Sequence, residues 1–123
     1  MSFEITFYSK NDGDSPIIDF LESLSDKELN KSLQYMLLLA ERGNTLTANF
    51  IKHIEADLWE LRPEFGGVEM RYFYFTWVDD VIVIVHSLKK KRRKLPRREI
   101  DLALRRISEV KDGKSSIVQI VLG

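Results

Sequence analysis

The sequence predicts an α+β fold in which helices stand apart from an antiparallel sheet. Three observations predict it. Apolar residues recur at three- and four-residue spacings between positions 15 and 43, three strand-like runs follow between 56 and 88, and one more helical stripe comes after them. At 123 residues, with 44% hydrophobic and 31% charged, the chain is sized for one domain spanning 1–123.

Taken in order, Phe3, Ile5 and Phe7 alternate with polar neighbours and read as a first strand. Ser15-Pro16 sets a capping side chain before a proline and starts a short helix with Ile17, Ile18, Phe20, Leu21 and Leu24 on its apolar side. Asp26 can cap a second helix, in which Leu29, Leu33, Met36, Leu37 and Ala40 form one stripe and Gly43 ends it. Residues 44–49 read as a connector. Strand runs follow at 56–62, 68–78 and 81–88, joined by the turn residues 63–67 and by Asp79-Asp80, which makes a meander. Pro96 opens the last helix, with Ile100, Ala103, Leu104, Ile107 and Val110 on one side and Gly113 at its end. The apolar tail 117–122 is either an added edge strand or unordered.

Absences narrow the function. There is no cysteine, so disulfides and thiolate chemistry are excluded; with only His53 and His86 and no HExxH pattern, no metal site is expected. No phosphate-binding GxxxxGK[ST] loop, GxGxxG or GxSxG occurs, and no cofactor is expected. The start lacks a basic, apolar leader and the longest apolar run, 81–85, is too short for a membrane span, so a cytoplasmic chain with no membrane attachment is expected.

Formal neutrality hides an asymmetry. Residues 1–60 hold five Lys/Arg against eleven Asp/Glu; residues 61–123 hold fourteen against eight. Either the basic half meets a polyanion or acidic protein, or the two halves attract each other across the fold. Its densest part is Lys89, Lys90, Lys91, Arg92, Arg93 and Lys94, continued by Arg97 and Arg98 into the first turn of the last helix. Cations repel there and oppose the helix dipole, which points to an anionic partner; solvation alone is the alternative. Arg62 ends one strand and Arg71 lies inside the next, on a face with Glu69, Phe73, Phe75 and Trp77. Arg71 can pair with Glu69 or stack on a ring, or it can offer a phosphate its guanidinium fork. His86 is either a satisfied sheet residue or a proton carrier; His53 receives no role.

The string LWELRPEFGGVEMRYFYF, followed by DDVIVIVHSLKKKRRKLPRREIDLALRR, resembles the phage-derived branch of the HigB toxins, within the RelE-like superfamily. The resemblance covers about residues 57–106 and rests on L-x-E-L-R, an internal strand arginine, and H-S-L-K-K before a proline-led helix. It implies a RelE-like fold, two N-terminal helices packed on an antiparallel sheet with a C-terminal helix. It also implies a metal-independent endoribonuclease that cuts messenger RNA on the ribosome, and a HigA-like helix-turn-helix antitoxin. By position, Arg62 and Arg71 match the family's central basic residues, Lys89 and Lys90 its strand-end basic site, and His86 matches loosely. Lys91, Arg92, Arg93, Lys94, Arg97 and Arg98 are then the RNA-binding cations. The tyrosine late in the RelE pattern has no counterpart, since Leu95-Pro96 stands there, so acid and base stay unassigned. Two rival readings are a non-catalytic nucleic-acid-binding module and a structural or adaptor protein of a phage particle.

Overall fold

The computed structural model describes residues 2–90 and 94–119. The order is β1 (Glu4–Ser9), α1 (Pro16–Glu22), α2 (Asp26–Arg42), β2 (Ile51–Glu55), β3 (Leu58–Leu61), β4 (Glu64–Phe65), β5 (Val68–Thr76), β6 (Val81–Lys90), α3 (Arg97–Lys111) and β7 (Ser116–Gln119). One sheet runs β2-β3-β5-β6-β1-β7, with β4 paired to β5. The architecture is α+β, as expected, and the β3-β5-β6 meander is antiparallel throughout.

The helix ends follow local chemistry. Ser15 caps α1 ahead of Pro16. For α2 the cap is Ser25, not Asp26: its hydroxyl accepts from the Glu28 amide, and the Glu28 carboxylate accepts from the Ser25 amide. Gly43 closes α2 at φ 55°, where an added Cβ would meet the Phe3 ring at 2.6 Å.

Two further expectations need correction. The sheet is mixed, because β1 lies parallel to β6 from Glu4↔Val81 to Phe7↔Ile84. β1 leaves into helices rather than a tight turn, so no hairpin forces it antiparallel. Five of its six residues are buried, which fits a strand covered on both faces. The run expected at 56–62 is the second arm of a hairpin, with Ala56 in the left-handed region at φ 50° and an extra strand, β2, before it. No glycine or proline marks that turn, and 44–49 alone could not have revealed it. The open alternative for the tail resolves as β7, antiparallel to β1 over Ser116–Gln119.

β5 divides the molecule. Tyr72 and Tyr74 reach the helical hairpin side: the Tyr72 hydroxyl donates to Ser32 on α2, its ring meets Phe20, and the Tyr74 hydroxyl donates to Asn44. Phe73 and Phe75, the alternate residues, face α3, where Phe73 stacks on His86 and Lys111 sits over Phe75. Helices therefore cover both faces, α1 and α2 on one and α3 on the other. Among the described residues no helix is long and apolar enough to cross a membrane.

Candidate functional site

Strand register builds a row of side chains on the α3 face: Lys52↔Glu60 between β2 and β3, Glu60↔Phe73 to β5, and Phe73↔His86 to β6. The next rows hold Arg71 opposite Leu88 and Glu69 opposite Lys90. A bulge in β6 at Val85 makes this possible. It reverses the alternation, so that Ile84 pairs with Tyr74 on the helical-hairpin side while His86, Leu88 and Lys90 turn to the α3 side. Arg106 on α3 donates to the Val85 carbonyl at 2.9 Å, holding the bulge.

At the centre is Glu60, 5% exposed. Its carboxylate lies 3.4 Å from Arg62 Nε and 3.6 Å from Arg71 Nε. Burial pushes it above the ordinary carboxylate range, while Arg71, Arg62, Lys90 and Lys52 pull it back. Arg71 is 2% exposed; besides Glu60 it meets Glu69 through Nη2 at 3.1 Å and donates from Nη1 to the Met70 carbonyl at 3.2 Å. Arg71 is thus enclosed by carboxylates rather than laid open. A polar groove of about 180 Å³ opens beside it, lined by Ala48, Asn49, Arg62, Glu64, Glu69 and Arg71.

His86 Nε2 lies 2.5 Å from a Glu99 carboxylate oxygen on the first turn of α3. Burial lowers its pKa and the Glu99 hydrogen bond opposes that shift. Its ring stands between Phe73 and α3, on the same face as Arg71.

These elements fall inside one family match. The family of the phage-derived protein Gp49-like (DUF891) matches residues 19–108. The chain belongs to the Gp49-like family. That family is associated with the toxins of toxin–antitoxin systems. The match takes in Lys52, Glu60, both strand arginines, His86 and the basic run, and leaves β1 and β7 outside. No curated protein matches the chain.

In this Gp49-like chain the basic residues separate by place. Lys89 points to the helical-hairpin side and meets Glu28 at 3.4 Å, whereas Lys90 shares the α3 face with Arg71. Lys91, Arg92 and Arg93 lie outside the described residues. Lys94 and Arg98 join Lys89 and Lys90 around a groove of about 210 Å³, with Leu88, Leu95 and Pro96 as its apolar part. Arg97 ties α3 to β2 through Glu55, at 2.6 and 2.8 Å, and also holds Asp101 at 2.9 Å. With Lys89–Glu28 and Lys111–Asp57, that pair shows the acidic and basic halves attracting each other in part.

Sequence reasoning passed over three residues of this candidate site: Glu60, Lys52 and Glu99. Strand alternation in L-W-E-L-R carried a signal for Glu60, two residues from Arg62 and so on its face. Nothing local pointed to Lys52, because β2 was not expected, or to Glu99, whose partner is thirteen residues away on another element.

Proposed function

We propose that this chain is a HigB-type toxin, an endoribonuclease that cuts messenger RNA on the ribosome without a metal ion. The observation that carries this reading is the gathering of Lys52, Arg62, Arg71 and Lys90 around one buried carboxylate, on a sheet face that also holds His86. Four cations converging on a rigid sheet suit a phosphodiester, because the charge that develops on phosphorus in the reaction meets preorganised donors.

The reaction is a transesterification. The ribose 2′-oxygen forms a bond to phosphorus, the bond from phosphorus to the 5′-oxygen breaks, and a 2′,3′-cyclic phosphate and a 5′-hydroxyl result. RNA supplies its own nucleophile, so the protein has to orient the phosphate, stabilise charge and move one proton off the 2′-hydroxyl and one onto the leaving oxygen. Arg71, with Arg62 beside it, orients the phosphate. Lys90, on their face, stabilises the transition state. Lys89, on the other side of the strand end, belongs with Lys94 and Arg98 to the groove that holds the flanking backbone. His86, oriented by Glu99, is the proton carrier on this face. A HigA-like antitoxin with acidic residues against that groove would silence the chain.

The test is cleavage of a messenger RNA, free and on programmed ribosomes, in excess chelator, with the fragment ends identified. Cyclic-phosphate and 5′-hydroxyl ends, together with growth arrest on expression, are expected. RNA bound but never cut would leave a nucleic-acid-binding module, and normal growth with no RNA binding would end the toxin reading.

A further inference from the structure

We propose that the two carboxylates around Arg71 have opposite duties: Glu69 occupies the guanidinium edge that RNA phosphate takes, and is displaced by it, whereas Glu60 holds the guanidinium in place. The proposal rests on the ribonuclease reading above and assigns its phosphate subsite.

Each edge of the Arg71 guanidinium has a different neighbour. Nη1 is tied to the Met70 backbone carbonyl, Nε faces Glu60, and Nη2 faces Glu69. The two carboxylates differ in freedom. The Glu60 side chain is 7% exposed and sits inside the sheet row; the Glu69 side chain is 37% exposed and lines the open groove with Arg62 and Arg71. The carboxylate end of the Arg71–Glu69 pair opens to solvent, where it can be rehydrated on leaving. In the ladder Glu69 stands between Glu64 on one side, a like charge that repels it, and Lys90 on the other. A phosphate presents the guanidinium with the same pair of oxygens that a carboxylate does. Entering this groove between Arg62 and Arg71, it meets Glu69 already in position.

Glu60 acts the other way. It lies within reach of both guanidiniums and is itself buried in the sheet row. Were it neutral, Arg71 would be left to Glu69 alone and the subsite would close further. Glu60 is therefore a positioning residue. Removing the charge of these two carboxylates, a few ångströms from one guanidinium, is expected to move RNA affinity in opposite directions.

The experiment measures binding of the full-length chain to a short single-stranded RNA, 2′-O-methylated throughout so that it cannot be cut, at one fixed ionic strength. Glu69→Gln should bind about three- to tenfold more tightly, as expected for removing a competing ion pair of this exposure. Glu64→Gln removes the same charge from the same groove without a contact to Arg71 and should change affinity less than about twofold. Glu60→Gln should bind at least about threefold more weakly, and adding Glu69→Gln to it should recover most of the loss. Glu69→Gln tightening no more than Glu64→Gln would reduce the effect to a general field and overturn displacement. Weaker binding by Glu69→Gln would make Glu69 structural and overturn it too. If Glu60→Gln fails to fold, the Glu69 and Glu64 arms decide by themselves. Wild-type protein with no RNA affinity overturns the ribonuclease reading and this proposal together. Wild-type protein that binds and cuts, beside a Glu69→Gln variant that binds no better, overturns this proposal alone.

Discussion

β5 carries two surfaces built from one run of residues, V-E-M-R-Y-F-Y-F-T, and they differ in kind. Toward α1 and α2 it presents Met70, Tyr72 and Tyr74, whose polar atoms each find a neutral partner in Ser32 or Asn44. Burial pushes both phenols far above the ordinary tyrosine range, so they stay uncharged. Toward α3 the same strand presents Glu69 and Arg71 beside Glu60, Lys90 and His86. One surface satisfies its polar groups pair by pair; the other gathers ionisable groups whose charges do not cancel in pairs. Buried ionic groups are costly and rarely the cheapest way to stabilise a sheet. The contrast therefore separates the surface that holds the fold from the one proposed to meet RNA.

Substitutions on the two surfaces should separate rate from stability. The largest effect is expected at Arg71. Arg71→Lys keeps a charge near Glu60 but loses the fork, and RNA cleavage should fall by about 10²–10³ while the protein still melts cooperatively. Arg71→Ala should lose the same activity and also about 3–5 kcal/mol of stability, because Glu60 stays buried without its partner. On the opposite surface, Tyr72→Phe should leave the cleavage rate unchanged. It removes the hydrogen bond to Ser32 and should cost about 1 kcal/mol, or about 3–5 °C in melting temperature. A Tyr72→Phe variant as inactive as Arg71→Lys would erase the distinction.

A pH series sharpens the comparison through His86, the histidine beside the charged groups of the α3 surface. Burial lowers the pKa of His86 in the fold, against the pull of Glu99. The unfolded chain thus takes up a proton near pH 6.5, before the folded chain does. The stability tied to neutral His86 is complete above that pH and is lost as the pH falls toward the lower folded value. The melting temperature of His86→Gln, compared with wild type from pH 7.5 to 5, should fall less steeply in that window. Identical slopes would mean that His86 does not titrate there. The smallest effect is expected at Arg98, 84% exposed in its side chain. Arg98→Ala should weaken RNA binding equally for all sequences and reduce the logarithmic salt slope by about 0.7.

How much could be read in advance divides along the same line. The helical-hairpin side was legible: Ser15-Pro16 and the Leu29, Leu33, Met36, Ala40 stripe are local signals that tertiary packing only confirmed. The meander was legible too, since Asp79 and Asp80 both adopt positive φ in the turn that their residue types favour. The charged surface was legible only in its cations. Glu60 reads as the polar side of an amphipathic strand, and its burial comes from neighbours on β2 and β5 that periodicity cannot see. V-I-V-I-V-H-S-L-K-K reads as one regular strand, so the bulge that turns His86 and Lys90 toward Arg71 carries no local mark. The basic run likewise reads as one site, although strand geometry sends Lys89 and Lys90 to opposite faces.

The parallel seam between β1 and β6 sets a timetable for synthesis. Thr6 donates to the carbonyl of Ile82, a contact across 76 positions. β1 is made well before either of its partners: β6 on one side comes far later in the chain, and β7 on its other side later still. Contacts of such separation form slowly, because a long loop must close before they return any energy. Arg71 and the strand-end lysines belong to β5 and β6, so the charged surface is assembled within the same late interval. A nascent chain of this kind therefore gathers Glu60, Arg71 and Lys90 on one face only after β6 has been made.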